Sequence, residues 1–338
     1  MSTEAADFES RARAFYDLKI LAIAYEWDVV TELSRGAMSA RDLAAKLEVA
    51  ERPVTALLMG LGAMGLVRYE QDADRWEPTE KGSRFMVTGS PNNMRDVVRF
   101  AEWQFDALPR LREAVKDRTI VWNAGAHYLK GKQATGEQDK RDVFDGALDV
   151  SAIAIGKSVM TVFDFANVKR VMDVGGNLGG VLGTIMEKFP GVHGTVFDLP
   201  HVVETTKRVI EKRGFSERMT AVAGDMNSDT WPTGYDVILT TRVLTTRDPH
   251  EIVHVGKKAL EALPSGGRFV IFEEHLSGDE AHPVPPEAVW GYVFMLILSD
   301  RGGSYSRDEW TSMLREAGFA KTEVIAKNKW AVVIGTKA

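Results

Sequence analysis

The 338-residue chain is predicted to be an α/β protein, in which a mainly helical half precedes a mostly parallel sheet. In the second half, short apolar runs typical of strands alternate with helix-compatible segments, a pattern that favours a parallel sheet covered on both faces. The last two apolar runs, TEVIA and WAVVIG, are joined only by Lys327, Asn328 and Lys329. Because so short a connection joins antiparallel neighbours, the sheet is predicted to end with a reversed strand.

The elements of the second half follow from this alternation. Strands are predicted at 171–174, 193–197, 219–222, 235–241 and 268–273. Helices are predicted near 180–189, 201–213, 250–263, 287–298 and 307–317.

The first half contains the pattern helix, helix, hairpin, which is a winged-helix arrangement. Apolar residues at helical spacing predict one helix over Ala6–Leu33, and Ser39 is predicted to cap a short helix after it. A further helix is expected over Glu51–Met64, followed by a hairpin of LVRY and RWEP. A DNA-recognition helix needs basic and polar residues on its groove side. Residues 54–64, VTALLMGLGAM, carry no charge, so packing against another subunit or helix is favoured over DNA binding.

Composition narrows the class of protein. Hydrophobic residues make up 44% of the chain and charged residues 27%, as in ordinary globular domains. The net charge of -6 argues against a duplex nucleic-acid partner, and the absence of cysteine excludes disulfides and thiolate metal sites. No apolar run reaches the roughly 18–20 residues of a membrane span, and the first residues lack the apolar core of a signal peptide. A cytoplasmic protein without a metal, membrane or nucleic-acid partner is therefore expected.

The run VMDVGGNLGG (171–180) joins a predicted strand to a predicted helix through a glycine-rich turn. Such a turn lets the backbone approach a nucleotide-type ligand beside a helix N-terminus. The next two strands end at Asp198 and Asp225. These carboxylates are predicted to line one crevice, where one can accept hydrogen bonds from ribose hydroxyls and the other can face an adenine amine. The simpler alternative is that both are solvated carboxylates or helix caps.

Several longer stretches carry a resemblance to a known family: DVGGNLGG, FPGVHGTVFDLPHVVE, GDM, TTRVLTTRDP, LPSGGRFVIFEE and RGGSYSRDEW with LREAGF. They resemble the class I S-adenosyl-L-methionine-dependent small-molecule O-methyltransferases, which include plant caffeate enzymes and bacterial antibiotic-tailoring enzymes. The resemblance implies a Rossmann-like methyltransferase sheet with an antiparallel last strand, a winged-helix dimerisation domain and a homodimer. The expected domains are 1–90 for dimerisation, 91–165 as a helical segment that covers the pocket, and 166–338 for cofactor binding and catalysis.

The resemblance also implies which residues hold the cofactor. The glycine turn would take the methionine portion, and Asp198 the ribose. Leu199 and Met226 would enclose the adenine, whose amine Asp225 would face. The implied set is Asp173, Gly175, Gly176, Gly179, Asp198, Leu199, Asp225, Met226, Thr241 and Arg242.

Two residues of this region leave questions open. Asn177 stands where the family commonly has a third glycine, and asparagine tolerates positive φ better than other non-glycine residues. Arg242 would either hold the cofactor side or an anionic substrate group, or pair with a structural carboxylate.

The family's usual catalytic base is missing from its expected position. O-methylating members carry a histidine–aspartate pair after the fourth strand, where this chain has Thr245 and Thr246. A threonine hydroxyl is too weak an acid–base group at neutral pH. His127 and Tyr128 are the alternative candidates for a base in the segment WNAGAHYLK. A further glutamate of the family is expected near 304–306, where SYS is not acidic, whereas Glu273 and Glu274 are present and expected to bracket the pocket.

The missing base separates the possible chemistries. An amine or an acidic phenolate is already nucleophilic, whereas a neutral alcohol needs a base that typically contributes roughly 10²–10⁴-fold. Methyl transfer to an oxygen or nitrogen of a small aromatic or polycyclic secondary metabolite, mainly by proximity and orientation, is therefore predicted. The alternative is a methyltransferase fold used for a non-methylating reaction with bound cofactor. The candidate substrate contacts, which could also be plain core residues, are Trp103, Trp290, Phe294 and Met295.

Overall fold

The computed structural model describes residues 3–117, 138–274, 293, 302–303, 305–327 and 330–338. The chain forms two compact units, Met1–Asp106 and Ala107–Ala338. The boundary between these units falls inside the helical segment expected at 91–165. The assignment of separate dimerisation, covering and catalytic domains stays a prediction.

The first unit is helical with one hairpin. Its strands are β1 (Val67–Glu70) and β2 (Arg75–Pro78), which pair antiparallel as predicted. Its helices are Thr3–Arg13, Phe15–Glu26, Val29–Ser34, Ala40–Lys46, Glu51–Ala63 and Glu80–Met86, and the helix Arg95–Ala107 ends at its boundary. The predicted cap is confirmed, because the Ser39 hydroxyl accepts a hydrogen bond from the Asp42 amide at 3.1 Å.

The prediction of one helix over Ala6–Leu33 is wrong, because the region forms three helices. The second and third helices are separated at Asp28, whose φ of 50° is left-handed. The Asp28 carboxylate accepts a hydrogen bond from the Thr88 hydroxyl at 2.7 Å and pairs with Arg95. These tertiary contacts stabilise a conformation that helical periodicity does not reveal.

The second unit contains a sheet of seven strands, which are β3 (Arg170–Val174), β4 (His193–Asp198), β5 (Met219–Ala223), β6 (Val237–Thr241), β7 (Arg268–Glu274), β8 (Lys321–Lys327) and β9 (Trp330–Thr336). Their order in the sheet is β5-β4-β3-β6-β7-β9-β8. All neighbouring strands are parallel except β9, which runs antiparallel to both β7 and β8, so the predicted reversed strand is confirmed.

Helices and apolar side chains cover the sheet of the second unit. The helices are Leu111–Asp117, Gln138–Val159, Gly180–Lys188, Pro200–Lys212, Pro249–Ala262 and Arg307–Ala317. One cluster of buried side chains includes Met172, Ile238 and Phe269, and a second includes Val171 and Leu239. Because successive strand residues point to opposite faces, both faces of the sheet are buried, as the near-continuous apolar strands predict. The helix expected at 287–298 falls almost entirely outside the described residues.

In the described part of the chain, no helix is both long enough and apolar enough to cross a membrane.

Candidate active site

The glycine turn after β3 is bent by residues with positive φ. Gly175 has a φ of +72° and its amide donates to the carbonyl of Phe197 at 2.8 Å. A Cβ at Gly175 would lie 2.8 Å from Cγ2 of Val243, so only glycine fits without a shift. Gly179, at φ +75°, is the N-cap residue of the helix Gly180–Lys188. Asn177 has a φ of +48°, which agrees with the expectation that asparagine preserves the turn.

Asp173 lies beneath this turn with its carboxyl group fully buried. Among the described residues, neither of its carboxyl oxygens has a hydrogen-bond partner. Burial raises the pKa of Asp173 to about 8, and the nearby charge of Asp198 contributes to the increase. Burying a carboxyl group without a hydrogen-bond partner costs free energy. Such a group is expected where a polar ligand supplies the missing partner.

Asp198 ends β4 and turns its carboxylate toward the same turn. Its Oδ2 accepts from the amide of Asn177 at 2.9 Å, and its Oδ1 accepts from the amide of Leu199 at 2.7 Å. Burial raises the pKa of Asp198 to about 6, although these two hydrogen bonds lower it. Each oxygen of a carboxylate can accept more than one hydrogen bond, so Asp198 is oriented and still able to bind hydroxyl groups.

Asp225 and Met226 follow β5. The Oδ1 of Asp225 accepts from the amide of Asn227 at 2.8 Å, which fixes the turn by a local side-chain bond. A Cβ at Gly175 would lie 3.6 Å from Cε of Met226. The structure therefore brings Met226 close to the glycine turn.

The end of β6 forms the opposite wall. Arg242 has a φ of +54°, and a 3₁₀ turn, Leu244–Thr246, follows it. Glu273 of β7 is fully buried against this turn: its Oε1 accepts from the amides of Val243 at 2.8 Å and Leu244 at 2.6 Å. Its Oε2 accepts from the Thr245 hydroxyl at 3.0 Å.

The electrostatic environment of Glu273 is equally specific. Burial raises its pKa to about 7, while these hydrogen bonds and the positive charge of Arg242 lower it. The sequence places Glu273 at the pocket edge but does not indicate these contacts, because they join residues 28–30 positions apart. An acidic residue at a parallel strand's carboxyl end was the available signal.

The other residues considered in the sequence lie elsewhere in the structure or outside its described residues. Thr241 ends β6 and is partly exposed. Trp103 lies in the helix Arg95–Ala107 of the first unit, where the Arg99 guanidinium is 6.0 Å from its ring centroid. Ser306 caps the helix Arg307–Ala317 through a capping box with Glu309. The other candidates lie outside the described residues: His127, Tyr128, Trp290, Phe294 and Met295.

The geometry fits the cofactor that the sequence implies. The turn is sharply bent at Gly175, a carboxyl group with no hydrogen-bond partner among the described residues lies below it, and a second carboxylate is oriented beside it. These features suit a ligand with an ammonium group and ribose hydroxyls.

Comparisons with known proteins agree with this fit. Residues 109–320 match the family model described as an O-methyltransferase domain. A 3-hydroxy-5-methyl-1-naphthoate 3-O-methyltransferase of Streptomyces sahachiroi is 28% identical, over 97% of this chain and 94% of that protein. An N,N-dimethyltransferase, OxyT, of Streptomyces rimosus is 26% identical, over 90% of this chain and 88% of that protein.

A solved structure has the same fold. Human N-acetylserotonin methyltransferase in complex with S-adenosylmethionine superimposes with a TM-score of 0.84 at 22% identity, over 100% of this chain and 99% of that one. The chain belongs to the O-methyltransferase family. It is a methyltransferase that depends on S-adenosylmethionine.

Proposed function

We propose that this enzyme methylates an oxygen or nitrogen atom of a small aromatic or polycyclic secondary metabolite. The relatives named above are called O- and N-methyltransferases, and one is named for a naphthoate. Those names favour methyl transfer over the non-methylating alternative. The position expected for a histidine base holds Thr245, so positioning and desolvation of the acceptor supply most of the rate enhancement.

Different residues of the crevice bind different parts of the cofactor. S-adenosylmethionine supplies a sulfonium methyl group that is already strongly activated. Asp173 holds the ammonium group beneath the glycine turn, and Asp198 accepts hydrogen bonds from the ribose. Met226 and Leu199 enclose the adenine, and Asp225 faces its amine. Thr241 and Arg242 line the side of the crevice nearest the end of β6.

The observation that carries this proposal is the pair Asp173 and Asp198: in the described part of the chain, Asp173 has no hydrogen-bond partner and Asp198 is held by two backbone amides. Calorimetry with S-adenosylmethionine and S-adenosylhomocysteine tests it directly. Asp198→Asn is expected to weaken the affinity for both at least tenfold, because the neutral amide loses the charge-assisted bonds. Asp308→Asn, which changes an exposed carboxylate on the helix Arg307–Ala317, is the matched control.

The acceptor class is tested by incubation with S-adenosylmethionine and a panel of 2-naphthol, 2,4-dinitrophenol and 1-aminonaphthalene. Mass spectrometry is expected to detect a methylated product together with an equal amount of S-adenosylhomocysteine. Binding without methylation of any member would overturn the acceptor class. Absence of binding would overturn the cofactor site itself.

A further inference from the structure

We propose that Glu273 is the final acceptor of the proton that a hydroxyl substrate loses during methyl transfer, and that the Thr245 hydroxyl carries the proton to it. This inference rests on the proposed function. It assigns to two residues of this chain the task that a histidine performs in the family.

The direction of the hydrogen bond between the two side chains is fixed by chemistry. An ionised carboxylate only accepts hydrogen bonds. The Thr245 hydroxyl therefore donates its proton to Oε2 of Glu273, across 3.0 Å. The lone pairs of Oγ1 then serve to accept a hydrogen bond from a substrate hydroxyl, so one threonine connects the substrate to a carboxylate that the substrate does not touch.

The turn that carries Thr245 lies at the cofactor site. Val243, two residues earlier, packs against the glycine turn, where a Cβ on Gly175 would lie 2.8 Å from its Cγ2. The Thr245 carbonyl accepts from the amide of Gly303 at 2.9 Å. The turn is thus held from three directions, by the glycine turn, by Gly303 and by Glu273. Such restraint is what orients a proton carrier.

The step balances without any further reagent. The substrate oxygen attacks the methyl carbon, and the bond from sulfur to carbon breaks with its electron pair remaining on sulfur. The substrate O–H bond breaks as its proton moves to Oγ1 of Thr245, while the original proton of Thr245 moves to Oε2 of Glu273. After the product leaves, a water molecule in its place accepts the proton by the reverse path, and Glu273 is ionised again.

The surroundings of Glu273 suit a proton acceptor at neutral pH. Its pKa is raised to about 7 by burial, and a general base is most effective when its pKa lies near the working pH. The positive charge of Arg242 opposes the increase. Among the described neighbours of Glu273 from other elements, Arg242 after β6 is charged, whereas Ala331 of β9 and Thr245 of the turn are uncharged.

Other carboxylates of the crevice are less suitable. Asp198 is bonded to two backbone amides beside the ribose position, and Asp225 is engaged by Asn227. Neither accepts a hydrogen bond from Thr245. In the described part of the chain, the Thr245 hydroxyl donates its hydrogen bond to Glu273.

The test compares two substrates with different proton requirements. 2-Naphthol must lose a proton during methylation, whereas 2,4-dinitrophenol is already ionised at the pH of the assay. For Thr245→Val and Glu273→Gln, kcat with 2-naphthol is expected to fall roughly 10²-fold or more, with KM changed less than threefold. The decrease with 2,4-dinitrophenol is expected to be at least tenfold smaller.

Two variants distinguish a proton path from a structural role. Thr245→Ser retains a hydroxyl and is expected to restore kcat to within about tenfold of the wild-type value. Thr246→Val removes the neighbouring hydroxyl, which donates to the Val243 carbonyl at 2.8 Å, and is the matched control. It is expected to change the two substrates equally.

The pH profile provides an independent measurement. With 2-naphthol, the wild-type kcat is expected to fall as the pH drops below about 7, because protonated Glu273 no longer accepts a proton. This acidic limb is expected to disappear in Glu273→Gln. Equal losses for both substrates, or an unchanged acidic limb, would overturn the proton path and leave the proposed function intact. Failure of the wild-type enzyme to methylate any acceptor, with cofactor binding retained, would overturn the proposed function and this inference together.

Discussion

The carboxyl group of Asp173 lies directly under Gly176, so that a Cβ on Gly176 would be 2.8 Å from Cγ of Asp173. The glycine at this position therefore serves the buried carboxyl group rather than a special backbone angle. The absence of a side chain leaves room for Asp173 in the conformation that faces the turn. Space for the cofactor and the position of its proposed carboxyl contact thus depend on the same residue.

Gly176→Ala is accordingly expected to damage both folding and binding. The added methyl group must displace Asp173, an overpacking effect that typically costs about 1–3 kcal/mol. We expect a decrease of this size in the free energy of unfolding and at least a tenfold loss of S-adenosylhomocysteine affinity by calorimetry. Gly191→Ala is the control, because a Cβ there meets no atom within 4 Å. Equal effects of both substitutions would contradict this account.

Asp173→Asn is expected to change how stability depends on pH. The folded protein holds the proton of Asp173 up to a pKa of about 8, whereas the unfolded chain releases it near the ordinary value of 3.8. The wild-type free energy of unfolding therefore falls as the pH rises between these values. Removing the ionisable group should make that fall smaller, and the variant should be the more stable protein above pH 8.

Urea unfolding of the cofactor-free protein at several pH values measures this effect. Asp308→Asn, on an exposed carboxylate, should leave the pH dependence of the wild type unchanged. A variant curve parallel to that of the wild type across the whole range would show that Asp173 is ionised in the folded state.

The left-handed residue Asn177 gives a prediction about the glycine turn. Alanine pays about 1–2 kcal/mol for a left-handed conformation, and glycine does not. Asn177→Ala is therefore expected to be less stable than Asn177→Gly by about 1 kcal/mol and to bind S-adenosylhomocysteine more weakly. At Glu48, which also has a left-handed φ of 58°, the same pair should differ in stability but not in binding. Equal cofactor affinity of the two Asn177 variants would contradict a role for this conformation in the site.

The apolar surface of the first unit is the expected interface of the predicted homodimer. Phe8, Tyr16 and Met59 are 76%, 59% and 63% exposed, and burying them in a subunit interface would remove this area from water. Light scattering at micromolar concentration is expected to give twice the 37.4 kDa mass of the chain.

Charged substitutions provide the specific test of that interface. Tyr16→Glu combined with Met59→Lys should shift the protein toward a monomer, because charges buried without partners are costly. Val115→Lys, at a position that is also 63% exposed but belongs to the second unit, is the control. A monomeric wild-type protein would refute the dimer.

Local patterns predicted most of the sheet. The strands predicted at 193–197 and 268–273 are each one residue longer in the structure, where β4 is His193–Asp198 and β7 is Arg268–Glu274. The glycine turn was equally accessible, because its conformation depends on residues that are adjacent in the chain. Positive φ at Asn177 was expected because asparagine tolerates it at a position where the family commonly has glycine.

Contacts between distant residues were beyond such patterns. The break at Asp28 depends on Thr88 and Arg95, which lie 60 or more positions later. The hydrogen bond from Thr245 to Glu273 joins the turn after β6 to the end of β7. The resemblance to the family marked both positions, but only the pairing of β6 with β7 brings them together.

The reversed strand β9 has a consequence for the acidic group opposite it. Ala331 is the register partner of Glu273, and β9 occupies the whole outer side of β7. Side chains alternate between faces along a strand, so a slip of one position in this ladder would swap the groups presented on each side. The residue that lies beside Glu273 thus depends on correct alignment with a segment that follows β7 by more than fifty residues.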